Sequence, residues 1–196
     1  MIEEVQSVLI KGQLYVFKTY DEADLTQDQF QVIQQGLNEA YGFRTQSFAH
    51  KPYGYCLPLK RILCTLGDKL VGHVAIFEDC VSLNDKKIKV GGIGLTFSLK
   101  PLTGLGFMLR ELAAKLCAKS GVPLAIGRVK NSARIKKNLE PLVSCFLEMP
   151  LVGANTHSHE WETLAIYKTS DQPDWVNQLI ANFQKNGCIQ IEGEVF

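Results

Sequence analysis

Between Lys87 and Gly121 the chain runs through an apolar strand, a turn with two glycines and an amphipathic helix. Few folds accommodate that order directly behind antiparallel hairpins. The strand spans Lys87 to Leu99, and the turn reads Leu99-Lys100-Pro101-Leu102-Thr103-Gly104-Leu105-Gly106-Phe107. The helix, about Leu105 to Lys119, places Leu105, Met108, Leu109, Leu112 and Leu116 on one face. Lys115 and Lys119 suit the negative end of its dipole, and Gly121 closes it. An apolar strand, Val122 to Arg128, follows at once, so the segment builds a βαβ unit. Unpaired amides of the first helical turn, with the dipole behind them, suit a phosphate or pyrophosphate. Thr103, Gly104, Leu105, Gly106 and Phe107 are the residues of that site. A Gly-x-Gly that merely reverses the chain is the plainer alternative. The turn is neither a dinucleotide fingerprint, because Leu109 holds the third glycine position, nor a P-loop, because no Gly-Lys-Ser/Thr follows.

Upstream, Leu14 to Lys18 reads as a first strand. Thr26 and Gln29 form a capping box for a helix running to about Ala40, with Phe30, Ile33 and Leu37 on one face. Arg44 to Pro58 is a long aperiodic loop carrying His50, Tyr53 and Tyr55, next to Phe43 and holding Phe48. Arg61–Leu66 and Lys69–Phe77 read as hairpin strands around Gly67-Asp68, and Asn84-Asp85 makes the next turn. Downstream, Asn131 caps a short helix ending near Pro141, strands cover Val143–Met149 and Thr163–Lys168, and Pro173 opens a last helix ending at Gly187. Antiparallel strands leading into one parallel crossover predict an α/β fold with a mixed, mostly antiparallel sheet flanked by helices, in a single domain over residues 1–196.

The formal net charge of +1 leaves no basic footprint for nucleic acid. No apolar run reaches the length of a membrane span, and the start of the chain lacks the basic and apolar regions of a signal peptide. The six cysteines are scattered without a Cys-x-x-Cys pair, so buried free thiols are expected, with no metal site and a reducing, cytoplasmic setting.

The strand, Gly-x-Gly turn, helix and following strand resemble the cofactor-binding core of the GNAT (GCN5-related N-acetyltransferase) superfamily. The strings Gly104-Leu105-Gly106, Gly121-Val122-Pro123-Leu124 and Gly127-x-Val129-Lys130 are similar to nodulation N-acyltransferases of the NodA type. The similarity includes Ala40-Tyr41-Gly42, Pro58–Ile62, Val71-Gly72-His73 and Ile191-Glu192-Gly193-Glu194. The resemblance implies the GNAT acyl-CoA N-acyltransferase fold and transfer of an acyl group from acyl-CoA or an acyl carrier protein to a primary amine, with an amino sugar as one acceptor. It implies that the turn holds a pyrophosphate and that the strand end around Phe97 and Leu99 hydrogen-bonds the pantetheine arm. Asn131 resembles the residue that touches the pantetheine region, with a plain helix cap as the alternative. Four residues depart from the family pattern. Pro101 stands where an Arg or Gln is usual, Gly92 where a Glu is common, and Cys145 and Phe146 lie where many members carry a Tyr.

Amine acylation needs a base for the amine proton, a donor for the carbonyl and an acid for the thiolate. His73, on the strand beside the cofactor strand, is the candidate base; a hydrogen-bonded core histidine is the alternative. Lys130, Arg134, Lys136 and Lys137 suit CoA phosphates or an acidic carrier surface, or simply a solvated face. Expected partners are a small-molecule amine and an acyl carrier protein, with a homodimer left open. A module that binds acyl-CoA or a protein partner without catalysis is the competing reading.

Overall fold

The computed structural model describes residues 2–41, 56–83, 86–101, 103–153, 162–167 and 174–192. The aromatic loop residues Phe43, Phe48, His50, Tyr53 and Tyr55 and the Asn84-Asp85 turn lie outside these. Ten strands and four α-helices follow in the order β1 (Ile2–Ile10), β2 (Gln13–Asp21), α1 (Gln27–Tyr41), β3 (Lys60–Leu66), β4 (Lys69–Leu83), β5 (Lys86–Ser98), α2 (Leu105–Lys119), β6 (Ala125–Val129), α3 (Ala133–Leu139), β7 (Val143–Met149), β8 (Leu151–Val152), β9 (Glu162–Tyr167), α4 (Asp174–Asn186) and β10 (Ile189–Gln190) among the described residues. The hydrogen-bonded strand order is β1-β2-β3-β4-β5-β6-β9-β7, with β8 and β10 paired separately. The β1–β2, β2–β3, β3–β4, β6–β9 and β7–β9 ladders are antiparallel, whereas β5 and β6 run parallel through the α2 crossover. This is the mixed, mostly antiparallel sheet that the order of elements anticipates. The strand β1 was not anticipated. It is an exposed edge strand, where a charged, irregular pattern gives little period-2 signal.

Contacts along the chain gather into two units. The first holds Met1–Ile76 and Leu95–Ala113. Its core joins Leu25, Ile33 and Leu37 to Leu63 and Phe97. Helix α1 starts as its sequence predicts: the Thr26 amide donates to Gln29 Oε1 at 2.8 Å and the Gln29 amide to Thr26 Oγ1 at 3.3 Å. It meets the sheet at Gly36, where a Cβ would lie 2.3 Å from Phe97 Cζ. Helix α2 seats Leu105 and Leu109 over Gly72 of β4, where a Cβ would come within 2.9 Å of both leucines. Glycine is therefore required at that crossing for packing, not for backbone freedom.

The second unit holds Phe77–Gly94 and Ala114–Phe196. Val81, Val90, Leu124, Ile126, Leu164 and Ile166 fill its core with Val176, Leu179 and Phe183 of α4. Here β5 and β6 pair at Gly91–Ala125 and Gly92–Ile126, and the ladder goes no further. Asn131 does not cap α3: the N-cap is Ser132, without a side-chain cap bond, and Asn131 is exposed.

Candidate functional site

Within the first unit, the last residues of β5 carry an unusual backbone. Leu95 has φ of +50°, a left-handed conformation that a branched-chain residue adopts only when its surroundings enforce it. Its carbonyl turns out of the ladder and lies 2.8 Å from His73 Nδ1. A carbonyl only accepts, so Nδ1 carries the proton. On the other side of the ring, Arg61 Nη1, which only donates, lies 3.2 Å from Nε2. The imidazole is thereby fixed as the neutral Nδ1–H tautomer. It stacks on Phe97, with ring centroids 5.4 Å apart.

Arg61 is fully buried and forks onto Glu22, Nε to Oε2 at 2.6 Å and Nη2 to Oε1 at 2.9 Å. This bidentate geometry is the strong form of a carboxylate–guanidinium pair. Glu22 sits in a short 3₁₀ turn (Glu22–Asp24) after β2, and its amide donates to Leu59 O at 3.0 Å. A continuous buried chain thus runs from Glu22 through Arg61 and His73 to the Leu95 carbonyl.

This arrangement changes the role open to His73. A general base needs an accessible lone pair, and the lone pair on Nε2 already accepts from Arg61. Burial first, and then the Arg61 charge, push the imidazole pKa down to about 3, against the raising effect of the Leu95 carbonyl. His73 is the hydrogen-bonded core histidine, not a group presented to substrate. Nothing in the residue string Val-Gly-His separates the two, because the Arg61 contact comes from a neighbouring strand.

The strand-end contacts shift by one residue as well. The Leu99 amide donates to Val71 O at 2.8 Å, so it is committed to β4 and not to a ligand. Residues two apart in a strand share an edge, so Phe97 faces β4 too. Its side chain is buried between α1 and His73. The backbone groups turned to the opposite edge belong to Thr96 and Ser98. Tyr41, the last residue of α1, reaches that edge and donates from its hydroxyl to Thr96 O at 2.8 Å. Burial of the phenol raises its pKa, opposed by Arg110, so it stays a donor. Thr96 Oγ1 is buried and has no hydrogen-bond partner among the described residues. An orphaned buried hydroxyl is costly unless a ligand completes it.

The turn before α2 is built as its glycines suggest. Gly104 has φ of +76°, and a Cβ at Gly104 or Gly106 would meet nothing within 4 Å among the described residues. Thr103 Oγ1 donates to Lys100 O at 2.8 Å and accepts from the Leu105 amide at a long 3.3 Å. The Phe107 and Met108 amides turn back to Gly104 O. The Gly106 amide has no acceptor among the described residues. Leu105 itself is buried, anchoring the helix on Gly72. The groups that could hold an acyl donor here are the Gly106 amide at the helix start and the Thr96 and Ser98 backbone along the β5 edge.

In the second unit, Lys136 Nζ pairs with Glu148 at 2.6 Å, while Lys130, Arg134 and Lys137 are exposed. Cys145 and Phe146 line a cavity of about 440 Å³ with Lys136, Lys137 and Glu140. Burial raises the Cys145 pKa. No group of three or more His, Cys, Asp or Glu among the described residues is arranged to hold a metal ion. No helix among them is long and apolar enough to cross a membrane.

Arg61, Glu22, Tyr41 and Thr96 are the residues that sequence reasoning missed as site groups. Arg61 stands beside Lys60 at the start of its strand, where the sequence gives no sign that its guanidinium is buried.

No family model matches the sequence, and no curated protein sequence matches it. Its structure, in contrast, is similar to those of N-acyltransferases. An acyl-CoA N-acyltransferase from Pseudomonas aeruginosa superposes with a TM-score of 0.55 at 12% identity, covering 78% of this chain and 99% of that one. A GNAT-family protein from Desulfovibrio desulfuricans gives 0.54 at 12% identity, over 79% and 98%. A GCN5-related N-acetyltransferase from Anabaena variabilis gives 0.51 at 10% identity over 68% of this chain, which spans 32% of that protein. The chain covers about a third of the length of several proteins it matches, 31% and 32% in two further cases. The fold is the GNAT acyl-CoA N-acyltransferase fold.

Proposed function

We propose that this protein is an N-acyltransferase that moves an acyl group from acyl-CoA or an acyl carrier protein to a primary amine. The observation that carries the reading is the β5 edge at Thr96 and Ser98, which faces away from β4, in the same unit as the glycine turn at Gly104–Gly106 that opens α2. The diphosphate of the donor lies over the α2 N-terminus and its pantetheine amides complete the edge at Thr96 and Ser98. In the Leu95–Thr96 peptide, which is trans, the N–H points opposite to the carbonyl held by His73. That N–H receives the thioester oxygen as it gains charge. The amine attacks directly, its proton leaving through water, and the thiolate departs as CoA or carrier thiol. The NodA-type likeness extends the proposal to an amino-sugar acceptor and a cytoplasmic site of action. Isothermal calorimetry with acetyl-CoA, longer acyl-CoAs and an acylated carrier protein tests the donor site; absence of binding to all of them refutes the reading.

A second reading has its own observation. His73 is sealed from substrate and Gly92 replaces the common strand Glu, so the described part of the site offers no obvious base. The alternative is a module that binds acyl-CoA without turning it over. Incubation of labelled acyl-CoA with a panel of primary amines and amino sugars decides between them: tight binding with no acyl-amide product favours the module.

A further inference from the structure

The buried chain Glu22–Arg61–His73 leads to one backbone atom, the Leu95 carbonyl. A buried ion pair is a poor way to add stability, since apolar residues of the same volume usually do as well. Its geometry is instead directional. Glu22 orients the guanidinium through two bonds of 2.6 and 2.9 Å, Arg61 fixes Nε2 as an acceptor, and the proton on Nδ1 then holds Leu95 O at 2.8 Å. The held residue is the one non-glycine in β5 with positive φ. On its other flank, the Tyr41 hydroxyl holds Thr96 O. The Thr96 N–H therefore lies between two peptide carbonyls, each pinned by a side chain from a different element.

We infer that Glu22, Arg61 and His73 are positioning residues that hold the Leu95–Thr96 peptide so that its N–H meets the carbonyl of the acyl donor. The inference rests on the acyl-donor reading above and assigns the relay its purpose within it. None of the three touches substrate. Their contribution is to the carbonyl of the donor and not to its nucleotide or pantetheine parts.

The test compares acetyl-CoA with S-ethyl-CoA, a thioether of the same size that lacks the carbonyl. One added hydrogen bond predicts that the wild-type protein binds acetyl-CoA about 2- to 12-fold more tightly than the thioether. In His73→Phe, which keeps the ring stack but removes the donor, that preference falls to about 1-fold while thioether affinity stays within about twofold. His73→Gln, whose amide can accept from Arg61 and donate to Leu95 O, keeps the preference. An unchanged preference in folded His73→Phe overturns the relay. Should that variant fail to fold, the wild-type protein decides alone: the Thr96 amide resonance shifts with acetyl-CoA and not with S-ethyl-CoA. Equal shifts with both overturn the relay while leaving donor binding intact. Binding of neither compound overturns acyl-CoA as the donor and the relay with it.

Discussion

Replacing Gly36 with alanine sets a local preference against a tertiary contact, and the structure predicts which wins. Gly36 sits in the middle of α1, where alanine gains about 1 kcal/mol of helix propensity over glycine. The added Cβ, however, would lie 2.3 Å from Phe97 Cζ, 2.8 Å from Cε2 and 2.9 Å from Cε1. The ring cannot retreat easily. It is 3% exposed and backed by the His73 imidazole at 5.4 Å. Overpacking of this kind costs about 1–3 kcal/mol, which leaves a net loss of about 1 kcal/mol after the propensity gain. For a chain of this length that is a fall of about 2–4 °C in Tm. Differential scanning calorimetry of Gly36→Ala measures it. In a Phe97→Leu background the clash is removed, so the same substitution becomes stabilising, with a coupling of about 1–3 kcal/mol between the sites. A rise in Tm for the single variant would refute the packing reasoning.

Arg61→Met leaves the Glu22 carboxylate buried without its partner, and urea unfolding should show a loss of about 3–5 kcal/mol; a loss below about 1 kcal/mol contradicts the network. Native His73 takes up a proton near pH 3, whereas the unfolded chain does so at 6.5, so the neutral imidazole's contribution is complete above pH 6.5 and disappears as pH falls from there towards 3. Stability of the wild type relative to His73→Gln should decline over that window with a slope approaching about 1.4 kcal/mol per pH unit, as read by denaturant titrations at stepped pH. Gly104→Ala, at φ +76°, should cost about 1–2 kcal/mol. Gly106→Ala, whose Cβ meets nothing among the described residues, should leave Tm unchanged or slightly raised yet weaken acetyl-CoA binding several-fold in calorimetry. Burial pushes the Cys64 and Cys117 thiols up to about 12, so mass spectrometry should find both unalkylated by iodoacetamide in the native protein at pH 8 and modified after denaturation.

Local chemistry made much of the fold legible in the sequence. Thr26 and Gln29 cap α1 from four residues of context, and the leucine spacing from Leu105 to Leu116 sets α2 in its place. Gly104 supplies the left-handed turn, and β5, α2 and β6 follow as a parallel crossover because an apolar strand comes directly after the helix. These features depend on near neighbours, so period and residue type suffice to read them. The edge strand β1 escaped for the converse reason: exposed on most positions, it carries no burial pattern to read.

The candidate site is different in kind. Glu22, Arg61, His73 and Leu95 come from a turn and three strands, and their meeting depends on ladder register across β2, β3, β4 and β5. A shift of one residue in any pairing would turn Arg61 to the other face and leave the imidazole free. That is why the same His73 reads as a base in the sequence and as a sealed, pKa-depressed link in the fold. The candidate ligand edge moved from Phe97 and Leu99 to Thr96 and Ser98 for the same reason, since only the Leu99–Val71 hydrogen bond reveals which amides β4 already holds. Residue order determined the elements and the glycine turn before α2; the register between strands, a long-range property expressed in hydrogen bonds, decided which side chains meet.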